Sequence, residues 1–382
     1  MSYKCKKITV IANGFQEDYV IHYLNSLSGK IEQIDFLGSS IYPRDKIDVC
    51  VRIFDVRGGG ISDLQFLQKI LRVFTYYTLL ARYFIRNPGK YPVHIHWLRF
   101  KILDGIVLPL LLRMTGKRVI YTVHDILPHD KDTILNKLIF WIIYRANRKL
   151  IVHTRYLKDR LCNEFKINSS RIAVLKHGVY SVSDHLIIKN REDAKQKLGF
   201  NADVKLVLFF GFITHYKGLD ILLRAIANIR DNGRIALLVA GRVNDGYKKT
   251  LDELIQSYQI QIDARFIIRK IEDNELPLLF GAADITALPY REASQSGVLF
   301  MSYAYGVPVI VPDIGGFPYD VANGKSGFIF QCTNEASLTK TLEDFRNNNN
   351  NHLWSGEEIR KFARDNYSWD LSAKELIEFI NK

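Results

Sequence analysis

The sequence predicts an α/β protein built from two doubly wound parallel-sheet domains. Three observations carry this reading. The chain has 382 residues, 47% hydrophobic and 24% charged, more than a single core accommodates and apolar enough to build two. Short β-branched or aromatic runs alternate with helix-period segments in both halves, and the runs are apolar on both faces, as strands covered by helices on either side must be. A polar stretch at 181–197 breaks the rhythm once, near the middle.

The first strand is expected at 7–12. The basic residues ahead of it precede too few apolar ones for a secretory signal. Strands follow at 30–37, 49–54, 93–97, 118–124, 150–153 and 172–176, with helical patterns between most of them, including 64–86 and the segment that ends in Arg145, Arg148 and Lys149. After the polar break come strands at 205–210, 234–240, 265–268, 285–288 and 307–311, and a last helix at 371–380. The domains are then expected at 1–185 and 190–365, with a closing segment at 366–382. The apolar run at 106–112 is far shorter than the roughly 18 residues needed to cross a bilayer. Cys5, Cys50, Cys162 and Cys332 lie far apart without metal-ligand spacing, which argues against a zinc site or a disulfide framework and for a reducing, cytoplasmic setting.

Charge is distributed unevenly. Residues 1–190 hold 30 Lys and Arg against 15 Asp and Glu, while residues 191–382 hold 23 against 25. The first domain is therefore expected to meet the anionic partner. Nucleic acid is disfavoured because no binding motif accompanies the charge. In 64–86, Lys69, Arg72, Arg82 and Arg86 share one helical sector, and Tyr76, Leu79 and Tyr83 interleave with them. That composition fits an interfacial membrane helix and, equally, a core helix with a solvated basic face. For the helix at 140–149, core packing is the preferred reading.

In doubly wound sheets ligands bind beyond the carboxyl ends of strands, so the loops after strands are where chemistry is expected. In LVLFFGFITHYKGLDILLRAI, residues 206–226, a strand ends at Gly211 and Lys217 precedes the helix opened by Gly218. Free backbone N–H groups beside an ammonium suit a phosphate, and a solvated Lys on an ordinary turn fits the residues as well. In LPYREASQSGVLFMSYAYGVPVIVPDIGG, residues 288–316, Glu292 precedes a small-residue helix start at Ser296, Gly297 and Val298. A carboxylate there accepts sugar hydroxyls, while the helix-start amides face an anion. His124 ends an apolar strand as either a structural partner or a reactive group. Asp130 and Asp132, split by Lys131, make a poor metal pair, so no metal and no cofactor are assigned.

With these motifs in their order, nearly the whole chain resembles the retaining glycosyltransferases of family 4, whose GT-B architecture sets two Rossmann-like domains face to face. The resemblance rests on NGF at 13–15, VHIHW at 93–97, YTVHDILPH at 121–129, LKHGVY at 175–180, GFITHYKGLD at 211–220, YREASQSGV at 290–298 and YGVPVIVPDIGG at 305–316. It implies a nucleotide-sugar donor held by Gly14, Gly211, Lys217, Glu292, Ser296, Gly297 and Val298, with His124 beside the reacting sugar carbon. It also implies that 366–382 crosses back to the first domain. The acceptor expected for the basic domain is a lipid-linked saccharide or glycolipid at an anionic membrane surface on the cytoplasmic side, contacted through Lys69, Arg72 and Arg82. Two departures stand out: Phe212 and Thr214 occupy places where the family can carry Arg, with His215 or Arg291 as candidate substitutes. Phe300 or Met301 stands where a second Glu is usual. A catalytically weak partner subunit and a sugar-nucleotide epimerase are the alternatives.

Overall fold

The computed structural model describes residues 5–12, 16–39, 41–58, 66–127, 133–229, 234–258, 262–347 and 353–382. The chain divides into two units: residues 1–178 with 368–382, and residues 179–367. The first junction thus falls just before the polar stretch.

Unit 1 begins with β1 (Lys7–Ile11), α1 (Glu17–Leu27), β2 (Gln33–Gly38), β3 (Val51–Asp55) and α2 (Phe66–Arg86). It continues with β4 (Pro92–Ile95), a π-helical turn at Leu103–Val107, α3 (Leu108–Met114), β5 (Arg118–Thr122), α4 (Ile134–Ala146), β6 (Lys149–Val152), α5 (Arg155–Asn163) and β7 (Ile172–Val174). Among the described residues the sheet runs β3-β2-β1-β4-β5-β6-β7, and its neighbouring strands are all parallel. Strand residues alternate between two cores. Val119, Tyr121, Leu150 and Val152 join α2, α3 and α4 on one face, whereas Ile8, Val10, Ile120 and Ile151 join α1 on the other. Burial of both faces is why these runs read as continuously apolar.

Unit 2 holds α6 (Arg191–Lys197), β8 (Lys205–Phe210), α7 (Leu219–Ala227), β9 (Ile235–Ala240), α8 (Lys248–Tyr258), β10 (Asp263–Ile267) and α9 (Leu276–Ala282). It continues through β11 (Ile285–Ala287), α10 (Gly297–Ala304), β12 (Val309–Pro312), α11 (Phe317–Asp320), β13 (Gly327–Phe330), α12 (Glu335–Arg346) and α13 (Gly356–Asn366). Its parallel sheet runs β10-β9-β8-β11-β12-β13. Chain direction across the sheet reverses between β8 and β11, and a crevice for ligands forms at such a switch point. Every strand expected from the sequence has a counterpart. β13 was not expected, because GFIF is short and opens on glycine.

The helix α14 (Trp369–Asn381) returns to unit 1. Ala373, Leu376 and Ile380 complete the α1-side core, Ser372 Oγ donates to the Lys176 carbonyl at 2.6 Å, and Arg118 Nη1 donates to the Ile380 carbonyl at 3.1 Å. Trp369 lies against Gly178, where an added Cβ would come within 2.2 Å of the indole ring. Gly178→Ala is therefore expected to lower unfolding stability by about 2 kcal/mol through overpacking, measured by urea denaturation. An unchanged midpoint would mean that the indole shifts at no cost.

Candidate functional site

At the carboxyl edge of the unit 2 sheet, β8 is followed by Gly211, with φ +112° and Val298 Cγ2 only 3.3 Å from where a Cβ would stand. A single 3₁₀ turn, His215–Lys217, follows. Gly218 closes it at φ +72° and opens α7. At that glycine a Cβ would fall 1.9 Å from the Pro289 carbonyl oxygen, so only glycine lets the two loops touch. The contact sets Lys217 Nζ 3.7 Å from the centroid of the Tyr290 ring. Tyr290 is buried, and its hydroxyl lies 3.1 Å from Ser296 Oγ. Ser296 is the N-cap of α10, yet its side chain caps none of that helix's first amides. Lys217 and Ser296, picked from separate stretches of sequence, thus meet at one ring, and Gly211 lies against Val298. Glu292 is exposed on the same loop. In the two loops Thr214 Oγ1 and Gln295 Oε1 are buried with no hydrogen-bond partner among the described residues.

The cations at this edge are not equivalent. Arg291 bridges Asp220 through both guanidinium nitrogens, at 2.8 and 2.6 Å, and donates to the His215 carbonyl at 2.8 Å. Burial by itself would raise the Asp220 carboxyl, but hydrogen bonds from Arg291 and Arg224 outweigh it and hold the group below the usual carboxylate range. Arg291 is thereby neutralised in place and offers little as a substitute for the missing arginine. Arg242, just past β9, was overlooked in the sequence. It is exposed and sets its guanidinium 5.4 Å from the ring of Phe212, the residue that stands where an Arg was looked for. Of the two residues that can stand at the place of the second Glu, Phe300 is buried in the core under α10 and Met301 is partly buried.

The carboxyl edge of unit 1 gathers five buried histidines: His94, His96, His124, His153 and His177. His124 stacks on Trp97 with ring centroids 4.2 Å apart and planes 4° from parallel. Its Nε2 and both nitrogens of His96 are buried without a partner among the described residues. His94 sits 2.5 Å from the Tyr23 hydroxyl and 2.6 Å from Thr122 Oγ1, and His153 Nδ1 lies 2.7 Å from the Leu175 carbonyl. Burial, reinforced by neighbouring imidazoles, pushes His94 and His177 down to about 3 and takes His96 and His124 well below the ordinary value. Burial lowers His153 to about 4. The cluster is therefore neutral at pH 7. Among the described residues no three His, Cys, Asp or Glu side chains are arranged to hold a metal ion.

Of the remaining expected site residues, Lys69 and Arg82 are exposed on α2. Arg72 is half-buried and donates to the carbonyls of Arg57 and Gly58, both at 3.1 Å. Gly14, Asp130 and Asp132 lie outside the described residues.

Comparison with known proteins matches residues 190–364 to the family of glycosyl transferases group 1 and residues 41–181 to Glycosyltransferase Family 4. A D-inositol 3-phosphate glycosyltransferase of Streptomyces avermitilis is 27% identical over 309 residues, 75% of this chain and 64% of the relative. The match thus spans slightly less than two thirds of that relative's length. Among solved structures, sucrose-phosphate synthase from Thermosynechococcus elongatus superimposes with TM-score 0.77 at 17% identity over 98% of both chains. Anabaena HepE in complex with UDP-glucose does so with TM-score 0.73 at 15% identity over 97% of this chain and 98% of its own.

Proposed function

The chain belongs to glycosyltransferase family 4, with the two Rossmann-like domains of the GT-B fold, and from that premise we propose that it transfers a sugar, with retention of anomeric configuration, from a nucleotide-sugar to a lipid-linked saccharide or glycolipid. The observation that carries the reading is the meeting of Lys217 with the start of α10 around Tyr290. An ammonium and helix-start amides left uncapped by the N-cap side chain, at a sheet switch point, bind the diphosphate of a nucleotide-sugar. The solved HepE complex with UDP-glucose supports the same donor class.

In the transfer, the bond between the sugar's anomeric carbon and the diphosphate oxygen breaks. The acceptor hydroxyl bonds that carbon on the same face, and its proton passes to the departing diphosphate. Negative charge grows on the leaving group, so donors already aimed at it stabilise the transition state. Lys217 supplies one positive charge. Arg242 supplies the second in place of the arginine replaced by Phe212, and Glu292 accepts hydroxyls of the donor sugar.

Lys217→Ala is expected to cut kcat/KM for nucleoside diphosphate release by about a hundredfold to a thousandfold, measured with UDP, GDP and ADP sugars in the presence of membranes. Arg242→Ala should act chiefly on the KM for donor. Turnover that survives Lys217→Ala unchanged would defeat the assignment. Binding of UDP without turnover of any donor would favour the weak partner subunit, a reading prompted by the missing Arg and second Glu.

A further inference from the structure

The side of unit 1 formed by α2, α3 and α4 has apolar residues facing outward as well as inward. Inward, Tyr76, Leu80, Leu112, Phe140, Ile143 and Tyr144 fill the core. Outward, Val107, Leu110, Leu111 and Met114 repeat at i, i+3, i+4 and i+7 along the π turn and α3, and all four are exposed, Met114 by 83%. Ile134, Leu135, Leu138, Trp141 and Ile142 form a second exposed stripe on α4, with Ile134 at 89%. On the first half of α2, Leu67, Ile70, Leu71 and Phe74 form a third. The outer face of a helix in a water-soluble domain is polar, and a helix apolar all round is buried against something.

The three elements are neighbours. Tyr77 of α2 donates through its hydroxyl to Asp104 of the π turn at 2.8 Å, and Lys101, just before that turn, donates to Asn136 of α4 at 2.8 Å. Charge indicates what covers them. Lys69, Arg82, Arg86, Arg113 and Lys137 are exposed on these helices. The one carboxylate on α2, the π turn, α3 and α4 is Asp104, which is 1% exposed and engaged by Tyr77 and by the Arg99 and Phe100 amides. A second copy of the chain on this face would set cation against cation. A surface that is both anionic and apolar beneath satisfies both features, and that is a phospholipid interface. No helix among the described residues is long and apolar enough to cross a membrane.

We propose that unit 1 docks on an anionic bilayer by laying the α2–α3–α4 face into the interface, with the α3 and α4 stripes among the acyl chains and the surrounding Lys and Arg side chains at the phosphates. This rests on the reading of unit 1 as the membrane-side, acceptor-binding domain. It moves the main contact from the basic sector of α2 to apolar residues of α3 and α4, and it leaves Arg72 as an internal hydrogen-bond donor.

The test is flotation of the full chain with vesicles of equal parts phosphatidylglycerol and phosphatidylcholine, free of acceptor and donor. The wild type is expected to float and to stay bound when salt is raised. The triple variant Leu111→Gln, Met114→Gln, Leu138→Gln should keep its melting temperature and partition about a hundredfold more weakly at every salt concentration. Lys69→Gln, Arg82→Gln, Lys137→Gln should weaken binding mainly where phosphatidylglycerol is present and salt is low. Wild-type binding by the triple variant, or a wild type that does not float, would overturn the proposal. So would a wild-type dimer that the triple variant dissociates, since the face would then belong to a second copy. Flotation without donor turnover would sink the catalytic reading alone, and turnover on detergent-dispersed acceptor without flotation would sink this inference alone.

Discussion

Acidifying the protein from about pH 7 to about pH 5 is expected to remove several kcal/mol of stability from unit 1 and little from unit 2. An unfolded histidine titrates near 6.5, whereas His94, His153 and His177 are held at about 3, 4 and 3 in the fold, with His96 and His124 also well depressed. The unfolded chain therefore binds more protons below the unfolded value. The stability these neutral rings contribute is complete above about pH 6.5 and is lost progressively as pH falls towards the folded values. His94, His153 and His177 each contribute a loss of about 2 kcal/mol by pH 5, about 6 kcal/mol together, a large share of a domain's total. The described histidines of unit 2, His185 and His215, are exposed. Most carboxylates remain ionised over this range, so the window reports on imidazoles. Urea midpoints measured across it should slope steeply, and the double variant His94→Gln, His153→Gln should reduce that slope. A flat profile would show that the cluster takes up protons without unfolding.

Gly218→Ala is expected to abolish most donor turnover, with kcat/KM falling about a hundredfold or more. The left-handed conformation at φ +72° costs a non-glycine residue about 1–2 kcal/mol. The larger effect is steric, because a Cβ 1.9 Å from the Pro289 carbonyl forces apart the loops that carry Lys217 and Tyr290. Gly324→Ala isolates the first cost, since that residue has φ +75° and nothing within 4 Å of the added carbon. It should lose about 1 kcal/mol of stability and keep its kinetics. Equal turnover in the two variants would mean that the loop contact does not position Lys217.

The fold was legible because parallel strands buried on both faces leave continuous apolar runs, and in each unit nearly all strands are of that kind. Lys217 and the start of α10 were legible as separate local patterns, a strand, a glycine turn and a helix start in each case. Their meeting through Tyr290 was not, since a buried aromatic in LPY carries no mark of the partner it will face. The histidine cluster had a signal that was missed: VHIH, YTVH, LIVH and LKH each put an imidazole at the end of a strand, which in a parallel sheet is the same edge every time. Arg242 escaped because it follows a different strand from Lys217, and adjacency in the order β9-β8-β11 is a tertiary fact. The outward stripes of α3 and α4 were hidden by their composition, because a run apolar on all sides looks the same whether its second face meets protein or lipid.

Because α14 belongs to unit 1 while the whole of unit 2 precedes it in the chain, unit 1 is completed late in synthesis. As the polypeptide leaves the ribosome, the β1–β7 sheet emerges first but has no cover for Ile120 and Ile151 from Leu376 and Ile380. Arg118 and Ile380 must close a gap of 262 residues, so the amino-terminal unit has to persist half-covered, in reach of chaperones, while the later one folds. A stop codon or protease nick just after Tyr367 would accordingly do its damage in the part of the molecule made first.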